Sequence, residues 1–77
     1  MTVTVTQEEI ESSCPRDSWR CPVANALFRV TGLRWVVERD HCRMLANRVE
    51  YFFPSNLTAW IADFDAGRRV GPVTFEM

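Results

Sequence analysis

The clearest periodic pattern along the chain is a stripe of large apolar side chains in the segment 55–66. Their spacing of three and four residues is that of one face of an α-helix, so the segment is predicted to form an amphipathic helix. Ser55 or Asn56 can cap its first free N–H groups, and Gly67 can adopt the left-handed conformation that ends a helix. The apolar positions are Leu57, Trp60, Ile61 and Phe64.

Shorter segments in which apolar and polar residues alternate predict β-strands. We expect these strands to form a small antiparallel sheet, with the 55–66 helix packed across it. The outward face of the sheet depends on a hairpin of two strands over 42–53. If this segment were helical, that face would not exist. The expected strands lie at 2–6, 33–39, 42–46, 49–53 and 73–75.

Two shorter helices are predicted in the first half of the chain. Residues 6–9, Thr-Gln-Glu-Glu, match a capping box, so a helix is expected over 7–13. A second helix is expected over 22–31, because Pro22 is favourable in a first turn and Gly32 is a typical stop. The predicted fold class is therefore α+β. The expected buried face of the second helix consists of Val23, Leu27 and Val30.

Composition and charge restrict the classes of function. The chain has 77 residues, of which 47% are hydrophobic, which is sufficient core material for a single domain over 1–77. Its formal net charge is −1, so no overall field would attract nucleic acid or an anionic membrane. The chain shows neither a signal-peptide pattern nor an apolar segment of membrane-spanning length, and we expect a cytosolic protein with no membrane partner.

Cysteine and histidine residues supply one possible set of zinc ligands, namely Cys14, Cys21, His41 and Cys42. The spacing argues against this site, because six residues separate Cys14 from Cys21 and adjacent strand residues point to opposite faces. An odd number of cysteines is typical of reduced thiols, and Cys21 is the expected cap of the 22–31 helix. The single histidine, His41, could activate only Cys21 or Cys14 as a nucleophile, and no third group at recognisable spacing would orient such a couple. We therefore expect no metal, no other cofactor and no enzymatic activity.

Core and turn residues in three segments form a recognisable combination. They are Val5-Thr6 with Glu8-Glu9-Ile10, the helix start Cys21-Pro22-Val23-Ala24-x-Ala26-Leu27, and the closing Trp60-Ile61-x-x-Phe64-Asp65-x-Gly67-Arg68-x-Val70-x-Pro72-x-x-Phe75. This combination resembles small uncharacterised proteins encoded by actinobacterial bacteriophages and by their hosts, and the likeness spans most of the chain. The resemblance implies a small phage accessory protein that acts in the cytosol of a bacterial host.

Aromatic and arginine residues are the best candidates for a functional surface. The expected contact residues are Trp19, Arg34, Val36 and Phe52. Tryptophan and arginine often dominate the energy of interfaces, and Val36 and Phe52 face outward if their strands alternate strictly. The leading hypothesis is a non-catalytic protein that binds a host protein, and an open strand edge would also permit a homodimer. The alternative is a small nucleic-acid-binding module with an arginine-lined sheet face around Arg34 and Arg43.

Overall fold

The computed structural model describes residues 1–15, 17 and 19–77. This part of the chain forms three helices and five strands, and the predicted α+β class is confirmed. In chain order, the elements are β1 (Thr2–Val5), α1 (Gln7–Glu11), α2 (Pro22–Thr31), β2 (Trp35–Val37), β3 (His41–Met44), β4 (Glu50–Phe52), α3 (Ser55–Asp65) and β5 (Val73–Glu76).

Strands β1 and β5 form a two-stranded antiparallel sheet. Val3 pairs with Phe75, and both side chains are buried. The alternate residues face solvent, where the hydroxyl oxygens of Thr4 and Thr74 lie 2.9 Å apart. This alternation of buried and exposed residues is the pattern from which a strand at 2–6 is predicted.

Strands β2, β3 and β4 form a three-stranded antiparallel sheet with β3 in the middle. Val37 pairs with Cys42, and Cys42 pairs in turn with Tyr51. The predicted hairpin of strands over 42–53 is therefore confirmed. The turn between β3 and β4 contains Arg48, which adopts a left-handed conformation with φ of 59°.

The strands form two sheets rather than the single sheet that we expected. At β1, the side chain of Arg29 explains why no further strand pairs with it. Its guanidinium donates one hydrogen bond to the carbonyl oxygen of Thr4 (2.6 Å) and another to the carboxylate of Glu9 (3.1 Å). The Thr4 carbonyl lies on the edge of β1 that does not face β5, as the register of the pair requires. The arginine therefore occupies the position that a further strand would need.

Helix α1 begins at the predicted capping box. The hydroxyl of Thr6 accepts the N–H of Glu9 (3.2 Å), and the carboxylate of Glu9 accepts the N–H of Thr6 (3.0 Å). Partial burial raises the pKa of Glu9, but hydrogen bonds from Arg29 and Thr6 outweigh this effect and hold the pKa below its ordinary value. The helix ends at Glu11 rather than at Ser13, because the Ser13 hydroxyl bonds to a carbonyl of the helix itself.

Helix α2 has the predicted bounds and contacts both β1 and β2. The sulfur of Cys21 caps it by accepting the N–H of Ala24 (3.3 Å), and Gly32 ends it with φ of 73°. The buried residues of its inner face end at Leu27, about one turn before the helix does. Val30, a predicted member of that face, is therefore 40% exposed.

Helix α3 spans Ser55–Asp65, and its end matches the prediction. Gly67 adopts a left-handed conformation with φ of 79°. Its N–H donates to the carbonyl of Phe64, and the N–H of Arg68 donates to the carbonyl of Asp63, both at 3.0 Å. This pair of hydrogen bonds is a Schellman motif, which satisfies two of the last free carbonyls of the helix.

The first turn of α3 differs from the prediction. Neither Ser55 nor Asn56 caps the helix, because Pro54 occupies the cap position and its side chain has no acceptor for the first N–H groups. The packing face is as expected, with the half-buried Trp60 at its margin, where the indole N–H donates to the carbonyl of Gly71 (2.8 Å). The fully or nearly buried residues of this face are Leu57, Ile61 and Phe64. Together with buried residues of α2 and of both sheets, Leu57 and Ile61 belong to one continuous core.

We expect Leu57→Ala to lower the free energy of unfolding by about 2–5 kcal/mol, because it removes a side chain with no exposed surface and leaves a cavity. Urea unfolding followed by circular dichroism measures the change. Val30→Ala is the matched control, since it truncates an exposed helical residue and should change stability by less than about 1 kcal/mol. Equal effects of the two substitutions would contradict the described core.

Candidate binding surface

A shallow aromatic surface lies on the outer side of α2. Phe28 follows the buried Leu27 by one position, a rotation of about 100° around the helix. Its ring therefore faces away from the core and is 47% exposed. The guanidinium of Arg34 lies over this ring, with its carbon 5.3 Å from the ring centroid, a distance typical of a cation–π contact.

Trp19 completes this surface from the segment that precedes α2. The carboxylate of Asp17 accepts the main-chain N–H of Trp19 (2.9 Å) and that of Arg20 (3.1 Å), so it positions the main chain at both residues. Trp19 is 55% exposed. Trp19, Phe28 and Arg34 line one depression of about 260 Å³, and we call these three residues the aromatic–arginine surface.

Trp35 forms the buried base of this depression. Its indole N–H donates to the hydroxyl of Thr31 (3.0 Å), so its polar atom is satisfied without solvent. Its ring also contacts that of Tyr51, with the two centroids 5.8 Å apart. The exposed residues of the aromatic–arginine surface therefore lie on a packed layer that belongs to α2 and the three-stranded sheet.

The structure brings together two of the four predicted contact residues. Trp19 and Arg34 come from different segments and line the same depression. Phe52 is the most exposed large apolar residue, at 74%, but it lies on β4 and does not line that depression. Its ring contacts that of His41, with centroids 5.7 Å apart.

Val36 does not have the predicted outward exposure, and the prediction of an accessible contact residue at this position is wrong. Only 5% of the residue is exposed, although it lies outside the continuous core. Strict alternation would leave it open to solvent, but Arg43 is its direct cross-strand partner in a strand of only three residues. Long neighbouring side chains can cover a small β-branched residue in this position.

Phe28 is the contact candidate that sequence reasoning missed. The pattern that places Val23 and Leu27 on the inner face of the 22–31 helix also places Phe28 outside that face. A large aromatic residue outside the apolar stripe of an amphipathic helix needs another partner. That signal is readable from the sequence, but its combination with Trp19 and Arg34 requires the fold.

Among the residues that the structure describes, the arginines are divided among separate neighbours rather than collected on one face. Arg34 lies over Phe28, whereas Arg43 lies in the sheet beside Val36. Near the β3–β4 turn, Arg43 and Arg48 do share a depression, but a glutamate also lines it. Three of the described arginines lie beside acids, namely Arg29 beside Glu9, Arg68 beside Asp63, and Arg43 beside its cross-strand partner Glu50. Acidic neighbours thus interrupt the arginine-lined face that the nucleic-acid hypothesis requires.

The four candidate zinc ligands are not assembled. Among the residues that the structure describes, no three His, Cys, Asp or Glu side chains come together as metal ligands. Cys21 caps α2 and Cys42 is buried in the three-stranded sheet, whereas Cys14 is exposed. His41 instead forms a hydrogen bond with Asp40 (2.8 Å), which lowers the pKa of that carboxyl.

Burial also determines the chemistry of two thiols. It raises the pKa of Cys21 to about 11 and that of Cys42 to about 12, from an ordinary value of 9.0. Since the thiolate is the reactive form, both groups are poor nucleophiles at neutral pH. Their surroundings indicate a structural role for both.

A second cleft, of about 280 Å³, lies between the start of α2 and α3. Trp60 and Phe64 form an apolar wall with their rings stacked at a centroid distance of 5.7 Å. Carboxylates of Asp17, Glu38 and Asp65 lie on its lining. Arg39 also lines this cleft, so its lining carries charges of both signs, with more carboxylates than arginines.

No family model, curated protein or solved structure matches this chain. Within the described residues, no helix has the length and apolar character needed to cross a membrane. The functional conclusion therefore depends on the geometry of the chain itself.

We expect thiol alkylation of the native protein at pH 8 to modify Cys14 quickly, because it is the exposed cysteine. Cys21 and Cys42 should react only slowly until the pH approaches 11, since their raised pKa values move thiolate formation to higher pH. Mass spectrometry after timed exposure to iodoacetamide counts the modified residues, and a sample in denaturant should show all three. Rapid modification of Cys42 in the native protein would contradict its burial.

Proposed function

We propose that this protein is a non-catalytic binding protein, that its partner is another protein, and that the aromatic–arginine surface forms the contact. The observation that carries the proposal is the grouping of Trp19, Phe28 and Arg34 in one depression, with both aromatic rings about half exposed. Tryptophan and arginine are residue types in which the binding energy of protein interfaces is often concentrated.

The order of this surface supports a role in binding. Phe28 belongs to a helix that is capped at both ends, and Trp35 packs beneath the depression. Asp17 fixes the main chain at Trp19 through two hydrogen bonds. Contact groups that are already ordered lose less conformational entropy when a partner arrives.

The chemistry of the surface favours a partner that offers an apolar side chain beside a carboxylate. The exposed faces of Trp19 and Phe28 can cover the apolar group. The guanidinium of Arg34 lies over the Phe28 ring and can direct its N–H donors to a carboxylate in its own plane. A lysine at this position would have neither the planar stacking nor the bidentate geometry.

The proposed partner is a protein of a bacterial host, and the proposed site of action is the host cytosol. This part of the proposal is supported by the resemblance of the chain to small proteins of actinobacterial phages. The mode of binding is supported separately by the aromatic–arginine surface. The two parts can therefore be tested independently.

Trp19→Ala and Phe28→Ala should each reduce capture of the partner at least tenfold, because loss of a central aromatic anchor costs about 2 kcal/mol or more of binding free energy. The tagged protein is incubated with an actinobacterial lysate, with and without nuclease treatment in parallel, and bound proteins are quantified by mass spectrometry. Val30→Ala is the matched control, since it changes an exposed residue of the same helix that does not line the depression. The purified partner is then titrated against each variant by calorimetry.

Equal capture by wild type, Trp19→Ala and Phe28→Ala would contradict a contact at this surface. Loss of every captured protein after nuclease treatment would favour the nucleic-acid-binding alternative, in which Arg34 and the two rings stack on exposed bases.

A further inference from the structure

Strand β4 forms an open edge of the three-stranded sheet, and all three of its residues are exposed. The two aromatic side chains are the main apolar groups on this edge, with Phe52 74% exposed and Tyr51 39% exposed. An exposed edge strand with apolar side chains is a template on which another strand can pair. This feature does not depend on the aromatic–arginine surface.

The main-chain directions along β4 follow from the hydrogen bonds at the two ends of its ladder with β3. The N–H of Met44 donates to the carbonyl of Val49 (3.0 Å), and the N–H of Phe53 donates to the carbonyl of Asp40 (2.8 Å). Bonded pairs alternate in an antiparallel ladder, so Tyr51 directs its main-chain groups toward β3. The N–H and C=O groups of the residues on either side, Glu50 and Phe52, therefore point toward the open edge.

The other outer strands differ from β4. Arg29 covers the open edge of β1 through its hydrogen bond to the carbonyl of Thr4 (2.6 Å). The three residues of β2 are all buried, and α3 contacts β5. Among the outer strands that the structure describes, β4 is the one whose residues are all exposed.

We propose that β4 pairs in antiparallel fashion with β4 of a second copy of this chain, about a twofold axis at Tyr51. In this register Glu50 of each copy pairs with Phe52 of the other, so all the outward main-chain groups of both residues are used. A register centred on Glu50 would oppose two carboxylates and would require Arg48, whose left-handed conformation ends the strand. A register centred on Phe52 would place Glu50 opposite Pro54, which has no N–H.

The side chains suit this register. The two Tyr51 rings meet across the axis on one face, and each Phe52 lies beside the aliphatic part of a Glu50 on the other. Four main-chain hydrogen bonds and a small apolar contact describe a weak dimer, since interfaces of this size lie below those of stable complexes. The sheet of the dimer has six strands, and β2 forms each of its outer edges.

Cysteine cross-linking tests the register directly. In this pairing the two Tyr51 residues form a non-hydrogen-bonded pair, with Cα atoms about 4.5 Å apart, which a disulfide can span. Residues at position 49 lie about 13 Å apart along the strand direction, which a disulfide cannot span. Tyr51→Cys and Val49→Cys are compared in a Cys14→Ser background, because Cys14 is exposed. Circular dichroism verifies that each variant folds.

The expected result under mild oxidation is at least tenfold more disulfide dimer for Tyr51→Cys than for Val49→Cys. Sedimentation velocity of the unmodified chain should show the mass rising from 8.9 kDa toward twice that value with concentration. Phe52→Glu should shift this transition to at least tenfold higher concentration, because it places two carboxylates opposite each other in both Glu50–residue 52 pairs, whereas Phe28→Ala should leave it unchanged. The last comparison separates this inference from the proposed function.

Equal cross-linking at positions 51 and 49, or a mass of 8.9 kDa at every concentration, would overturn self-pairing through β4. If the chain stays monomeric and Phe52→Glu abolishes capture of a host protein, the edge binds a strand of a different protein and the proposed second copy is wrong.

Discussion

The contact of α2 with both sheets is the interaction on which the rest of the structure depends. One sheet has two strands of four residues, and two of the three strands in the other have only three. Sheets this small are marginal in water unless another element covers them. Val23 and Leu27 are fully buried, and each contributes about 1.5–3 kcal/mol of hydrophobic stabilisation. The helix therefore joins two units that would not be stable separately.

The same helix contributes both to the core and to the proposed binding surface. Leu27 faces the core and Phe28, one residue later, faces outward beneath the guanidinium of Arg34. Because the core and the proposed contact surface use different faces of α2, substitutions on the outer face should affect the proposed binding without unfolding the chain. Strand β4 provides a second, separate surface. It forms one edge of the three-stranded sheet, whereas β2, the strand that α2 contacts, forms the opposite edge.

Local signals in the sequence are sufficient for most elements of this fold. The capping box at Thr6, the sulfur cap at Cys21 and the left-handed glycines at 32 and 67 all act within one turn of the chain, and each is observed. The division into two sheets could not be predicted, because it involves Arg29 reaching a strand far from it in sequence. The burial of Val36 and the meeting of Trp19, Phe28 and Arg34 are likewise tertiary effects, which no local pattern encodes.

Native-state hydrogen exchange tests the central role of α2 most directly. The amides of Val3, Leu27 and Cys42 belong to the first sheet, the helix and the second sheet, respectively. If α2 joins the sheets into one cooperative unit, all three amides exchange with the same opening free energy, equal to that of global unfolding. A markedly lower opening free energy at Val3 or Cys42 than at Leu27 would show that one sheet opens independently and would contradict this account.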